Sequence, residues 1–129
     1  MEILHPPGWA RPKGYSNGVT ASGRTIFVSG MIGWDAQCRL VAIDIAGQVR
    51  QALKNIVDVL AQAGAKPEHI VRMSWYFVDK HEYLRASRQI GEIYRELMGR
   101  HYPAMTALQV AALLEEGARI EIEATAVVP

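Results

Sequence analysis

The chain of 129 residues is 50% apolar, and its 14 basic and 13 acidic residues leave a formal charge of +1. This length fits a single domain, 1–129, whose core needs no disulfide or structural metal. The near-neutral charge disfavours nucleic acid, a membrane surface and acidic substrates as partners. The one cysteine, Cys38, excludes an internal disulfide and a cysteine-rich zinc site. Because no apolar run reaches the length of a signal-peptide core or a membrane span, we expect a soluble cytoplasmic protein.

The N-terminal segment is rich in residues that break regular structure. Residues 1–14 hold three of the six prolines and predict an irregular arm over the domain. The next residues predict a hairpin, with a weak strand over 15–21, a turn at Ser22-Gly23 and a strong strand over 24–29. Gly30 then marks a backbone that turns sharply or approaches something closely.

The middle of the chain predicts two helices around a strand. Asp44 can cap a first helix with apolar residues at a period of 3.6, and Gly64 ends it. The most apolar strand of the chain covers 70–78. A second amphipathic helix follows Asp79 and ends near Gly99.

The last strand has the clearest pattern. From Arg119 to Val127 polar and apolar residues alternate strictly, so Glu121 and Glu123 lie on one face and apolar side chains on the other. The run 104–110 suits a further strand, and Leu40-Val41 a short extra one.

These elements occur in the order β-β-α-β-α-β-β. That order predicts an α+β two-layer sandwich, in which a mixed β-sheet carries two helices on one face. The other face, with Ser74, Tyr76, Glu121 and Glu123, is covered by nothing in the same chain. An open face with aromatic and charged groups, in so small a protein, is a candidate surface for subunit association.

Several common catalytic motifs are absent: the sequence has no Walker loop, GxGxxG, HExxH or CxxC. The four histidines lie far apart and none has a ligand partner at metal-binding spacing, so we expect no metal site. Glu121 and Glu123 are either an exposed or ion-paired couple, or one of them is a general base in a subunit cleft. Ser29 and Tyr15 also have purely structural interpretations. Ser29 can be a hydroxyl at the end of a strand, and Tyr15 an aromatic side chain that only packs.

Six segments together resemble a known family. They are GYSNGV, IFVSGMIG, DIAGQVRQALKNIVDVLAQAGA, HIVRMSWYFVD, PAMTALQV and GARIEIEATAV. In this order, from Gly14 to Val127, they resemble the Rid family, also called YjgF or L-PSP. The resemblance implies a chorismate-mutase-like fold assembled as a homotrimer, with small-molecule sites in the clefts between subunits. It also implies, for the RidA branch, hydrolysis of reactive enamine and imine acids to keto acids and ammonia without a metal or organic cofactor.

The resemblance also implies roles for particular residues. Glu121 matches a glutamate that positions the attacking water, and Tyr15 and Ser29 match residues that line the pocket. Met105 stands where the deaminating branch has an arginine that grips the substrate carboxylate, and Ala107 where a cysteine is frequent. A thioether cannot donate two parallel hydrogen bonds as a guanidinium does, so this pocket suits a larger or less anionic ligand than a small imino acid.

Two functions therefore stay open. The first is an enamine or imine deaminase whose substrate is not a small imino acid, and the second is a non-catalytic trimer that binds a metabolite in the same cleft. A third interpretation, as an endoribonuclease or translation inhibitor, is disfavoured by the near-neutral charge and the lack of a basic aromatic patch.

Overall fold

The computed structural model describes residues 1–129 as two β-sheets and three α-helices. The small sheet contains β1 (Glu2–Leu4) and β2 (Gly18–Thr20). The main sheet contains β3 (Arg24–Met31), β4 (Ile70–Phe77), β5 (Ala104–Gln109) and β6 (Ile120–Val128). The helices are α1 (Ile45–Gln62), α2 (Lys80–Arg85) and α3 (Ser87–Met98), with a short 3-10 turn at Pro67–His69.

The main sheet has the strand order β3-β6-β4-β5. β6 is antiparallel to both of its neighbours, and β5 is parallel to β4, so the sheet is mixed. α1 packs on β3 and β6, and α3 packs on α1. This confirms the predicted α+β fold, with β5 and β3 as the two edges of the sheet.

The core lies between α1, α3 and one face of the sheet. On β6, Ile120 and Ile122 are fully buried, whereas the glutamates between and after them are only partly buried. On β4, Met73, Trp75 and Phe77 are buried in the same layer. The predicted alternation is confirmed because only one face of each strand can reach the helices.

Helix boundaries follow local hydrogen-bonding chemistry. The Asp44 carboxylate accepts from Gly47 N at 3.1 Å, and Gly64 after the end of α1 has a φ of +70°, as a C-terminal cap requires. The predicted second helix is interrupted at Ala86, whose ψ of 3° separates α2 from α3. None of the helices combines the length and apolar character needed to cross a membrane.

The predicted N-terminal hairpin is wrong. β2 pairs with β1, and β3 pairs with β6 instead. The arm 1–14 is therefore not wholly irregular, because it contains β1. Alternation indicates that a strand exists but not which strand it pairs with, and the nine-residue β6 offers β3 a longer ladder of backbone hydrogen bonds than the three-residue β2 does. The predicted extra strand near Leu40 is reduced to a single bridge with Trp34.

Candidate functional site

The open face of the main sheet carries the two glutamates in different surroundings. Register places Ser74 opposite Glu123 and Tyr76 opposite Glu121, all turned away from α1. The Tyr76 hydroxyl donates to Glu123 Oε1 at 2.9 Å. Glu121 has no hydrogen bond or ion pair through its carboxylate. Glu123 is thus occupied by a phenol, and Glu121 retains its capacity to accept from water or a ligand.

A bulge in β3 makes room for the Glu121 carboxylate. The register of β3 against β6 shifts between Val28 and Met31, which takes Ser29 and Gly30 out of regular pairing. A Cβ added at Gly30 would lie 2.0 Å from Glu121 Oε2. Glycine is needed here because the carboxylate lies directly against this backbone, and not for an unusual φ.

Ser29 is exposed on the same side of the sheet. It lines a shallow depression of about 420 Å³. The depression is also lined by Arg72, Ser74 and Glu123 from β4 and β6. The structure therefore brings the predicted residues Glu121 and Ser29 to one face, through the same bulge.

The other three predicted residues meet at a different place. Tyr15, Met105 and Ala107 line a cavity of about 520 Å³. Register pairs Met105 with Met73 and Ala107 with Trp75, so both lie on the helix-covered side of β5. Within one chain, the predicted site residues thus form two groups on opposite sides of the sheet.

Tyr15 is held at this cavity by its neighbour. Ser16 is buried, and its backbone N donates to Pro103 O at 3.0 Å, while its hydroxyl donates to Tyr102 O. These bonds tie the segment after the arm to the start of β5.

Aromatic side chains make up much of the cavity wall. Tyr94 stacks on Tyr102 with ring centroids 5.5 Å apart and lies 6.3 Å from Trp75. The Tyr94 hydroxyl donates to His101 O at 2.6 Å, and burial, with a smaller contribution from Tyr102, raises the pKa of Tyr94. The indole N–H of Trp75 is buried without an acceptor. Burial also raises the pKa of Tyr83, so both tyrosines stay protonated and can act only as neutral hydrogen-bonding groups.

The charged residues at the cavity are both basic. Lys13 and Arg95 line it, and no aspartate or glutamate does. Arg95 makes no ion pair, whereas Arg88, two turns earlier on α3, lies 3.9 Å from Glu92. A Cβ added at Gly91 would be 3.4 Å from the Arg95 guanidinium, which therefore extends over this glycine.

The sequence pattern did not indicate Lys13, Tyr83, Trp75 or Arg95 as cavity residues. They come from the arm, α2, β4 and α3, and only the fold brings them together. No group of three or more histidine, cysteine, aspartate or glutamate side chains is placed to hold a metal. Cys38 is exposed in a loop and belongs to neither group.

A concave cavity with an aromatic wall and a few polar groups has the form of a small-molecule site. A family model described as endoribonuclease L-PSP matches residues 9–128. The chain is 38% identical to human 2-iminobutanoate/2-iminopropanoate deaminase over 122 residues, which cover 94% of this chain and 83% of that one.

Solved structures give the same result. The Rid protein YyfB from Yersinia pestis superposes with a TM-score of 0.87 at 32% identity, covering 98% of each chain. Escherichia coli TdcF with bound serine superposes with a TM-score of 0.70 at 29% identity, covering 100% of each chain. The chain belongs to the Rid family, also called the YjgF or L-PSP family.

Proposed function

We propose that this protein hydrolyses a reactive enamine or imine at a site formed between copies of the chain. In this reaction a water oxygen bonds to the imine carbon, the carbon–nitrogen bond breaks, and ammonia leaves a carbonyl product. Membership of the Rid family supports the reaction class, since the human relative bears the name of an imine deaminase. The single exposed cysteine, Cys38, fits the reducing cytoplasm as its location.

The observation that carries the proposal is the difference between the two glutamates. Glu123 accepts from the Tyr76 hydroxyl, but the Glu121 carboxylate lies free against the β3 bulge. A general base needs an unoccupied oxygen within reach of the water whose proton it takes. We therefore assign Glu121 as the residue that orients and deprotonates water, with Ser29 on the same face of the sheet.

The site needs a second copy of the chain. Tyr15, Met105 and Ala107 lie across the sheet from Glu121, so one chain cannot present both groups to one ligand. β5 is an edge strand, and a neighbouring copy can bring its open face against that edge. A homotrimer of roughly 43 kDa, three times the chain mass of 14.3 kDa, forms three such clefts.

The substrate differs from a small imino acid. Met105 offers no hydrogen bonds to a carboxylate, and the cavity beside it is large and aromatic. The same feature favours the second candidate, a trimer that binds a metabolite without turnover. The family model's description as an endoribonuclease finds little support in a formal charge of +1.

The test measures both the mass of the oligomer and the rate of imine hydrolysis. Light scattering after size-exclusion chromatography measures the oligomer, and ammonia release from imines generated in place by an amino-acid oxidase measures hydrolysis. Glu121→Gln and Glu123→Gln form a matched pair on one strand face. We expect a trimer whose activity Glu121→Gln removes. A trimer that binds a ligand but accelerates no imine hydrolysis would support the non-catalytic candidate instead.

A further inference from the structure

We infer that the cavity beside β5 takes the imine of an aromatic amino acid, with Arg95 on α3 as the cation that binds its carboxylate in place of the residue at position 105. This inference rests on the proposed function and names its substrate class. It concerns an arginine that lies on a different element from Met105 and lines the same cavity.

The size of the cavity favours a ring-bearing ligand. Its volume of about 520 Å³ lies within the range of drug-sized ligand pockets. A small imino acid would leave most of that volume filled with water and most of the apolar wall uncovered. A substrate with an aromatic side chain fills the space and removes this apolar surface from water.

The wall suits a planar ring. Trp75, Tyr83, Tyr94 and Tyr102 all line the cavity, and Tyr94 already stacks on Tyr102 at a centroid distance of 5.5 Å. Aromatic pairs at centroid distances of about 4.5–7 Å are stabilised beyond the burial of their area. The methyl of Ala107 and the thioether of Met105 complete an apolar floor on β5, and a thioether packs well against a ring.

The charges of the cavity suit an anion. Lys13 and Arg95 are its only charged lining residues, so the local field is positive although the whole chain is nearly neutral. Arg95 has no carboxylate partner in the chain, while Arg50 and Arg88 pair with Glu96 and Glu92. A guanidinium with free donors is suited to bidentate contact with a carboxylate.

The position of Arg95 also supports binding of an anion. The Arg95 guanidinium lies 3.4 Å from the position that a Cβ at Gly91 would occupy, so this side chain extends over the glycine, which also lines the cavity.

Three probes separate the ring from the charge. They are 3-phenylpropanoate, its neutral amide 3-phenylpropanamide, and propanoate, each titrated calorimetrically into the intact protein. We expect the wild type to bind 3-phenylpropanoate more tightly than the other two. Arg95→Gln should weaken 3-phenylpropanoate about tenfold and leave the amide unchanged, because it removes a charge-assisted hydrogen bond at the cavity rim.

Arg88→Gln is the matched control, since it removes an arginine from the same helix at a position that does not line the cavity. It should leave all three affinities unchanged. Equal binding of 3-phenylpropanoate and its amide by wild type, or equal losses in the two arginine variants, would overturn the inference.

The inference and the proposed function fail in different ways. Faster hydrolysis of small imines than of the phenylalanine-derived imine, without binding of 3-phenylpropanoate, overturns the inference and the exclusion of small imino acids but keeps the proposed reaction. Arg95-dependent binding of 3-phenylpropanoate without hydrolysis of any imine keeps the ligand class and removes the proposed reaction.

Discussion

One face of the main sheet builds the core, and the other face carries the two glutamates. The face under α1 and α3 buries Met73, Trp75 and Ile122 in a continuous apolar core. The opposite face leaves Glu121 and Glu123 partly exposed. β6 contributes to both through simple alternation, so the same nine residues specify the fold on one side and carry the candidate chemistry on the other. On β6, the residues that build the core and the residues that carry the candidate base therefore alternate along the strand.

The largest effect is expected for the open face. Glu121→Gln keeps the shape of the side chain but removes the base, and should lower turnover by about 10²–10⁴-fold while the melting temperature changes little. Glu123→Gln should cost far less, because Glu123 already accepts from Tyr76. Steady-state kinetics with both variants test the difference, and equal losses would mean that the two glutamates act as one unit.

A substitution on the face covered by the helices should lower stability. Leu53 on α1 is fully buried, so Leu53→Ala should lower the free energy of unfolding by about 2–5 kcal/mol.

Phe27 is the matched site on the open face, where it is 78% exposed in the single chain. Phe27→Asp should leave the fold intact, as shown by circular dichroism, and reduce the oligomer seen by light scattering. A trimer that survives Phe27→Asp undamaged would place the interface elsewhere.

Gly30 lies in the bulge of β3, directly against the Glu121 carboxylate. Gly30→Ala puts a methyl where the Glu121 carboxylate lies, so turnover should fall by about 10–100-fold with little loss of stability, since the flexible carboxylate can move. In the Glu121→Gln background the same change should cost almost nothing further. Additive losses in this double-mutant cycle would show that Gly30 acts independently of Glu121.

The smallest effect concerns the cap of α2. The backbone N–H of Glu82, and to a lesser extent that of His81, lowers the pKa of the Asp79 carboxyl below its ordinary value of 3.8. A depressed folded-state pKa contributes stability above 3.8 that is lost as the pH falls through the lower value. Asp79→Ala should therefore flatten the fall of melting temperature on the acid side. An unchanged slope in Asp79→Ala would show that this cap contributes no stability that depends on acid pH.

Local patterns predicted most of the fold. The alternation of β6 and the caps at Asp44 and Asp79 are encoded within a few residues, and all three are confirmed. The pairing of β3 was not predictable, because an edge accepts any strand and the choice depends on the ladder of hydrogen bonds that each partner offers. Ala86, a good helix former, gave no signal for the break between α2 and α3.

The candidate site was predictable only in part. Glu121, Tyr15, Ser29, Met105 and Ala107 were found through family resemblance, which gives positions but no geometry. Their division between two sides of the sheet depends on the register of β4 with β5 and β6. The Glu121 carboxylate is unpaired because it lies against the bulge in β3 and because the Tyr76 hydroxyl donates to Glu123 instead. Neither feature has a sequence signature.

Mixing of two inactive variants tests most directly whether the site is shared between copies. Glu121→Gln removes the base from the open face, and Ala107→Trp fills the cavity on the other side with a large ring. Each homotrimer should be inactive, but a co-refolded equal mixture should regain activity at about a quarter of its sites, where an intact open face meets an intact cavity. A mixture as inactive as its components, with mixed trimers shown by mass spectrometry, would contradict a site shared between copies.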